Sequence, residues 1–413
     1  MKRFCIFLCF CAMMLAMPAT HAFAAGRQND YPIVFVHGFM GWGRGEFLGY
    51  NYWGGMYDIQ EDLNKQGYKA YTAAVGPLSS NWDRVCELYA YIKGGTVDYG
   101  KVHSEKYGHS RYGRTYPGVY KDWGTLEGDA NNNESGEIRK IHLVGHSMGG
   151  VDIRLLTQLL AHGSVEEING TDPEELSPLF KGGKNWVSSV TTIASPHNVS
   201  DISNWMNEPT GKQMLWAVAA LSGAALKNMV YDFKLDQWGI KRQPGESFNE
   251  YYDRVAKSNI WKDKDTIVSD FTPEYVRKFN SWVKAQPDVY YFSWSTEATY
   301  TDRSTGHELP EITMCPIWMP SSVNIGSYTS DEADKTWWQN DGMCSTVSES
   351  GPKMGSSDVI VEFDGTPRIG VWNHMGILEH FDHTDIVGLF TTWNPTQWYR
   401  SLASRLASLP ETN

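Results

Sequence analysis

The sequence predicts an α/β fold in which a mostly parallel central sheet is flanked by helices, and three observations lead there. Short β-branched runs alternate with helical patterns along the chain, the order expected of βα units. The segment Ile141 to Leu160 passes from an apolar run through a glycine-rich turn into a helical pattern. No internal repeat interrupts the 413 residues, a length that α/β folds often hold in one domain.

Taken in order, Ile33-Val34-Phe35-Val36 reads as a buried strand because it is apolar throughout. Ile59 and Leu63 are four apart ahead of Gly67, the pattern of a short helix closed by a glycine C-cap. Val85, Leu88 and Ile92 mark a second helix, expected to start at Asn81. Glu127 to Glu137, with Asn131-Asn132-Asn133, is polar and turn-rich and predicts a surface insertion. Ile141-His142-Leu143-Val144 is a strand pattern, Val151 to Leu160 a helix pattern, and Val187 to Ile193 a further strand. Lys212 to Met229 is apolar or small on most helical faces and needs a cover. Glu246 to Ala256, Thr272 to Ala285 and Asn394 to Leu406 read as amphipathic helices.

The N-terminus combines Lys2-Arg3, the apolar run Phe4 to Met17 and Ala22-Phe23-Ala24, the three parts of a secretory signal peptide. The apolar run is shorter than the roughly 20 residues that span a bilayer. Residues 1–24 are therefore read as a removed leader, and residues 25–413 as a single extracellular domain, monomeric and without stable membrane insertion. Cys5, Cys9 and Cys11 fall in that leader, and Cys86, Cys315 and Cys344 are too few and odd for a disulfide framework. A hydrophobic core must supply the stability. The formal charge of −12, or −14 without Lys2 and Arg3, argues against nucleic acid as a partner. Seventeen tryptophans suit core filling or the lining of an apolar pocket.

The chemistry is concentrated at Gly145-His146-Ser147-Met148-Gly149, a complete G-x-S-x-G between the strand pattern and the helix pattern. That context defines a nucleophile elbow: the serine occupies a sharp, strained turn, and glycines on either side let backbones approach. A chance G-x-S-x-G is only a glycine turn, but one bounded by strand and helix and followed by Gly150 favours catalysis. Acyl transfer also needs two N–H donors for the oxyanion. Met148, next after the serine, is one; Phe39, in His37-Gly38-Phe39 directly after the first strand, is the other. Chain order in the α/β-hydrolase fold places the acid and then the histidine downstream. Asp341 in Asn340-Asp341-Gly342 and His383 in Asp382-His383-Thr384 qualify. On order alone, Asn-Asp-Gly is equally a turn, and His374 and His380 lie as close to the C-terminus.

The strings HGFMGWGRGEFLGYNYWGG, AVGPLSSNWDR, GGTVDYG, GRTYPG, SVTTIASPH, YDFKLDQWGIKRQPGESF and NDGMCSTVS, with the final Asp-His segment, run over nearly the whole chain. They closely resemble the secreted lipases of thermophilic bacilli and their staphylococcal relatives. The resemblance implies an α/β-hydrolase fold, a Ser147–Asp341–His383 triad, oxyanion donors at Phe39 and Met148, and an ester or lipid substrate met at a lipid or polymer surface. It further implies a structural zinc held by Asp83, His103, His109 and Asp265, with Asp263 competing for the last place, in an insertion around residues 83–118 and 231–270. It places a lid over about residues 198–230, shorter than in the bacillus enzymes, which raises aliphatic polyesters as an alternative substrate to acylglycerols. A calcium site is not expected: Asp385 matches its first acid, but Phe390 stands where the second would be. A non-catalytic binding protein on the same scaffold would usually lack a triad member, and none is missing.

Overall fold

The computed structural model describes residues 26–47, 49–128, 134–198, 231–262, 264–330 and 333–412. The leader reading, the lid and its apolar helix, Asn131–Asn133 and Asp263 lie outside them, Asn198 alone of the lid excepted. Seven strands form the central sheet: β1 (Ile33–Val36), β2 (Ala70–Ala73), β3 (Ile141–His146), β4 (Val187–Ile193), β5 (Tyr290–Glu297), β6 (Ile360–Glu362) and β7 (Trp372–Glu379). Their spatial order is β6-β7-β5-β4-β3-β1-β2, and every pairing is parallel.

A parallel sheet is covered on both faces, so a strand such as β1 reads as an unbroken apolar run rather than as an alternation. In β1 the two faces can be followed residue by residue. Val34 and Val36 join one core cluster, with Leu143, Leu156 and Val190, while Ile33 and Phe35 join another, with Trp53, Ile193 and Tyr399. Helices α1 (Ile59–Lys65), α2 (Asn81–Lys93), α3 (Met148–His162), α4 (Phe248–Ala256), α5 (Pro273–Trp282) and α6 (Thr396–Ala407) supply the covers. Among the described residues no helix is long and apolar enough to cross a membrane.

Helix α2 starts at Asn81, as expected, but its cap is Ser80, whose hydroxyl accepts from the Asp83 N–H. Asn81 is the first helical residue, so the serine satisfies one of the orphan amides of the first turn. Ser247 and Glu250 make a reciprocal capping box that fixes the start of α4 two residues later than the pattern suggests. The polar stretch after Thr125 is partly ordered by pairing: Leu126–Gly128 and Glu134–Ile138 form an antiparallel hairpin. Cys86, Cys315 and Cys344 are all free thiols.

Candidate active site

The C-terminal ends of β1, β3, β4 and β5 converge, the edge where open α/β sheets present their functional loops. At the end of β3 the chain turns directly into α3 through Ser147, whose φ of 56° and ψ of −131° lie in a region that side chains rarely enter. The N–H of Ser147 donates to the Ile193 carbonyl at 2.9 Å, tying the turn to β4. The glycines around it are steric necessities. A Cβ at Gly149 would stand 2.2 Å from the Val36 carbonyl oxygen, and one at Gly145 would stand 2.4 Å from the Gly149 carbonyl carbon. At Gly38 it would meet the Ser147 Cβ at 2.6 Å.

Ser147 Oγ lies 2.9 Å from His383 Nε2, and His383 Nδ1 lies 2.6 Å from Asp341 Oδ2. All three residues are buried. His383 is also held through its backbone, its N–H donating to the Asp341 carbonyl at 2.8 Å. The other carboxylate oxygen, Asp341 Oδ1, accepts the N–H groups of Met343 at 2.9 Å and Cys344 at 2.7 Å. Burial would raise the Asp341 carboxyl, but the facing His383 and these two amides outweigh it and hold the group below its usual range. The rival histidines go elsewhere: His374 meets Glu362 and Ser295, and exposed His380 pairs with Glu311.

The N–H of Met148 opens helix α3, and Phe39 follows Gly38 beside the serine. Among the described residues neither amide has an acceptor. Two unpaired donors beside a hydroxyl, a base and an acid are what a developing oxyanion requires.

Residues 29–398 match the model of the family described as "Lipase-like, C-terminal domain". The chain belongs to this family. Among solved structures, this lipase-like chain is similar to EstA from Clostridium botulinum, at 48% identity over 94% of this chain and 90% of that one, with a TM-score of 0.86. Lipase 1 from Pelosinus fermentans shares 50% identity over 93% of this chain and all of that one, with a TM-score of 0.82. Staphylococcus aureus lipase 1 is 39% identical over 372 residues, 87% of this chain and 51% of its own length. The chain thus spans about half the length of the curated relatives it matches. The α/β-hydrolase fold and the likeness to staphylococcal lipases expected from the sequence are both present.

Two further features of the lipase-like chain were not legible beforehand. Thr296, on β5, reaches Asp341 Oδ2 at 3.0 Å and Glu349 Oε2 at 3.1 Å with one hydroxyl. Glu349 is fully buried; its Oε2 also accepts the Thr296 N–H at 2.6 Å, and its Oε1 has no partner among the described residues. Burial first, and then the charge of Asp341, push its carboxyl far above the usual range. A carboxyl that burial makes harder to ionise therefore backs Asp341, which its partners make easier to ionise. The second feature is Tyr52, whose hydroxyl touches the elbow at His146. Thr296 and Glu349 lie outside the motifs above, and Tyr52 lies within HGFMGWGRGEFLGYNYWGG, a string that does not disclose its partner.

Segments on either side of the elbow in sequence build a separate cluster. Asp83 (α2), His103 (helix Lys101–Tyr107), His109 and Asp265 each offer one ligand atom, all within 4.8 Å of one another. His103 Nε2 is 3.3 Å from Asp83 Oδ1 and 3.2 Å from Asp265 Oδ2; His109 Nε2 is 3.2 Å from Asp265 Oδ2 and 4.0 Å from Asp83 Oδ1. A tetrahedral zinc with bonds of about 2.0–2.1 Å has ligand–ligand edges of about 3.3 Å; the His109–Asp83 edge stands wider, and the other separations match it. Asp83 Oδ1 and His109 Nε2 are buried without a hydrogen bond among the described residues. His109 Nδ1 is 2.9 Å from the Ser110 carbonyl, which fixes the proton there and leaves Nε2 free to ligate. Gln237 donates to Asp83 Oδ2 at 2.7 Å, orienting that carboxylate. A second group of potential donors, Asp341, Cys344, Glu349 and His383, coincides with the site at Ser147. There both His383 nitrogens and both Asp341 oxygens are already engaged, and burial pushes the Cys344 thiol far up. That set is poorly disposed to hold a metal.

Proposed function

We propose that this chain is a secreted serine carboxylester hydrolase of the lipase type. The observation that carries the reading is the hydrogen-bonded series Ser147–His383–Asp341, assembled from distant segments on a strained elbow. His383 Nε2 takes the Ser147 proton as Oγ attacks the ester carbonyl, and Asp341 fixes the imidazole with its remaining proton on Nδ1 and stabilises the imidazolium. The N–H groups of Phe39 and Met148 take the oxyanion, with the N-terminus of α3 adding its favourable dipole. His383 then protonates the leaving alcohol. Water, deprotonated by the same imidazole, resolves the acyl-enzyme.

Asp83, His103, His109 and Asp265 are proposed to hold a zinc. A closed site of four protein ligands suits a structural ion, one that ties α2 to the His103–His109 loop and to the segment carrying Asp265. The names of the relatives, lipases and an Est protein, support ester hydrolysis in this family. Hydrolysis of p-nitrophenyl esters from short to long acyl chains, by wild type and Ser147→Ala, tests the reading. Turnover by wild type alone, reaching long chains, supports a lipase; strong preference for short chains favours an esterase or polyesterase; activity undiminished in Ser147→Ala overturns the mechanism.

A further inference from the structure

Tyr52 and His146 connect two parts of the site that the mechanism uses separately. Gly38 N–H donates to Tyr52 Oη at 3.0 Å; Tyr52 Oη lies 2.6 Å from His146 Nδ1; and His146 Nε2 lies 2.7 Å from the His383 carbonyl oxygen. Both rings are buried. Tyr52 packs against His37, Trp42 and Trp53, and His146 packs against His383.

The protons in this series have one consistent arrangement. A carbonyl oxygen only accepts, so His146 Nε2 carries a hydrogen and donates it to His383. Burial, with the neighbouring His383 adding to it, lowers the His146 pKa to about 3, so the ring is neutral and Nδ1 is an acceptor. The Tyr52 hydroxyl therefore donates to Nδ1, and its oxygen receives the Gly38 N–H. The resulting one-way chain runs from Gly38 through Tyr52 and His146 to the backbone of His383. Gly38 immediately precedes the Phe39 amide, and His383 carries the imidazole on Ser147. An end-to-end displacement would alter the separation of oxyanion donor and base, and small misplacements of reacting groups are costly in rate.

We propose that Tyr52 and His146 are positioning residues for acyl transfer, holding the Gly38–Phe39 loop and the His383 backbone in one fixed register. The proposal rests on the active-site reading above. Neither residue touches the reacting atoms; each acts through the group it holds.

The test is Tyr52→Phe, which removes one oxygen and keeps the ring contacts, compared with wild type in steady-state kinetics on a soluble ester and in nitrogen-15 NMR of the histidine rings. The expected result is a fall in kcat of roughly 10- to 100-fold with KM little changed, since orientation rather than substrate binding is lost. Wild type should show His146 protonated on Nε2 with Nδ1 accepting a hydrogen bond; Tyr52→Phe should keep Nε2–H, which the His383 carbonyl still holds, and shift the Nδ1 resonance as that atom loses its donor. His146→Gln, which keeps a donor and an acceptor on one side chain, should recover more of kcat than His146→Ala in variants matched for folding by circular dichroism. Wild-type kcat in folded Tyr52→Phe, a change confined to KM, or a wild-type His146 protonated on Nδ1 would each overturn the proposal. The NMR signature is read without turnover, and Ser147→Ala activity reports the underlying mechanism, so the two failures are distinguishable.

Discussion

Replacing Asp341 with Asn is isosteric, yet the surrounding hydrogen bonds dictate how the amide must sit. The Oδ1 position faces two backbone N–H groups, at 2.9 Å from Met343 and 2.7 Å from Cys344. An NH2 placed there would confront two donors, so the amide oxygen takes that side and the NH2 takes the Oδ2 side, 2.6 Å from His383 Nδ1. His383 must then accept at Nδ1 and carry its proton on Nε2, the atom 2.9 Å from Ser147 Oγ. The base is left in the wrong tautomer to receive the serine proton. In serine hydrolases built this way the same change costs about 10⁴ in kcat, or about 5 kcal/mol of transition-state stabilisation. Initial rates on p-nitrophenyl butyrate, with active-site concentration fixed by titration, should show that loss in kcat with little change in KM and an intact circular dichroism spectrum. A loss below about tenfold, worth only about 1.4 kcal/mol, would refute the orientation argument. So would an equal loss in Glu349→Gln, which would make Glu349 the working acid.

Other perturbations follow from the same geometry. In the folded chain burial makes Glu349 hold its proton to higher pH than in the unfolded chain, whose carboxyl releases it above about pH 4.3. The unfolded state then binds fewer protons, so this group lowers stability progressively as pH rises. The Tm of Glu349→Gln relative to wild type should therefore rise as pH is raised above the ordinary carboxyl range, and a Tm difference constant with pH would count against a raised Glu349. Gly149→Ala gains up to about 1 kcal/mol in helix propensity but drives a Cβ to 2.2 Å from the Val36 carbonyl, so a net loss of about 1–2 kcal/mol and of most activity is expected in denaturant titrations. Elemental analysis should find one zinc per chain in wild type and none in Asp265→Ala. At zinc about 100-fold above Kd the ion adds about 2.7 kcal/mol, so chelation should lower Tm by several degrees. Metal-free wild type with an unchanged Tm would remove zinc from the account.

The legible part of the fold and site is the part set by local sterics. Strand β1 and the start of β3 are short, apolar and rich in β-branched residues because they are buried on both faces, β4 is β-branched but carries buried serines and threonines, and the elbow shows as glycines because larger residues collide with the backbone. Strands β5 and β7 were not apparent beforehand. The first, Tyr290–Glu297, is built from aromatics and serines; the second, Trp372–Glu379, contains Gly376 and a register shift between His374 and Ile377. Chain order and family likeness singled out Asp341 and His383, but order alone did not separate His383 from His374 and His380. The roles of Tyr52, Thr296 and Glu349 had no signal, although Tyr52 sits in one of the family strings, since each acts through hydrogen bonds to partners that only the fold brings near. His146 and His383, for example, are 237 residues apart. Residues 199–230, where the sequence places nearly all of the lid, lie outside the described residues and contribute nothing to this comparison.

The central claim, that Ser147 is a nucleophile activated by His383, is tested most directly by a fluorophosphonate, which reports covalent attack without dependence on acyl preference. Intact mass and peptide mapping after incubation should show one phosphonyl adduct per chain, on Ser147, absent from Ser147→Ala and much slower to form in His383→Ala. Labelling at another residue, or no labelling of a folded protein that still hydrolyses esters, would contradict it.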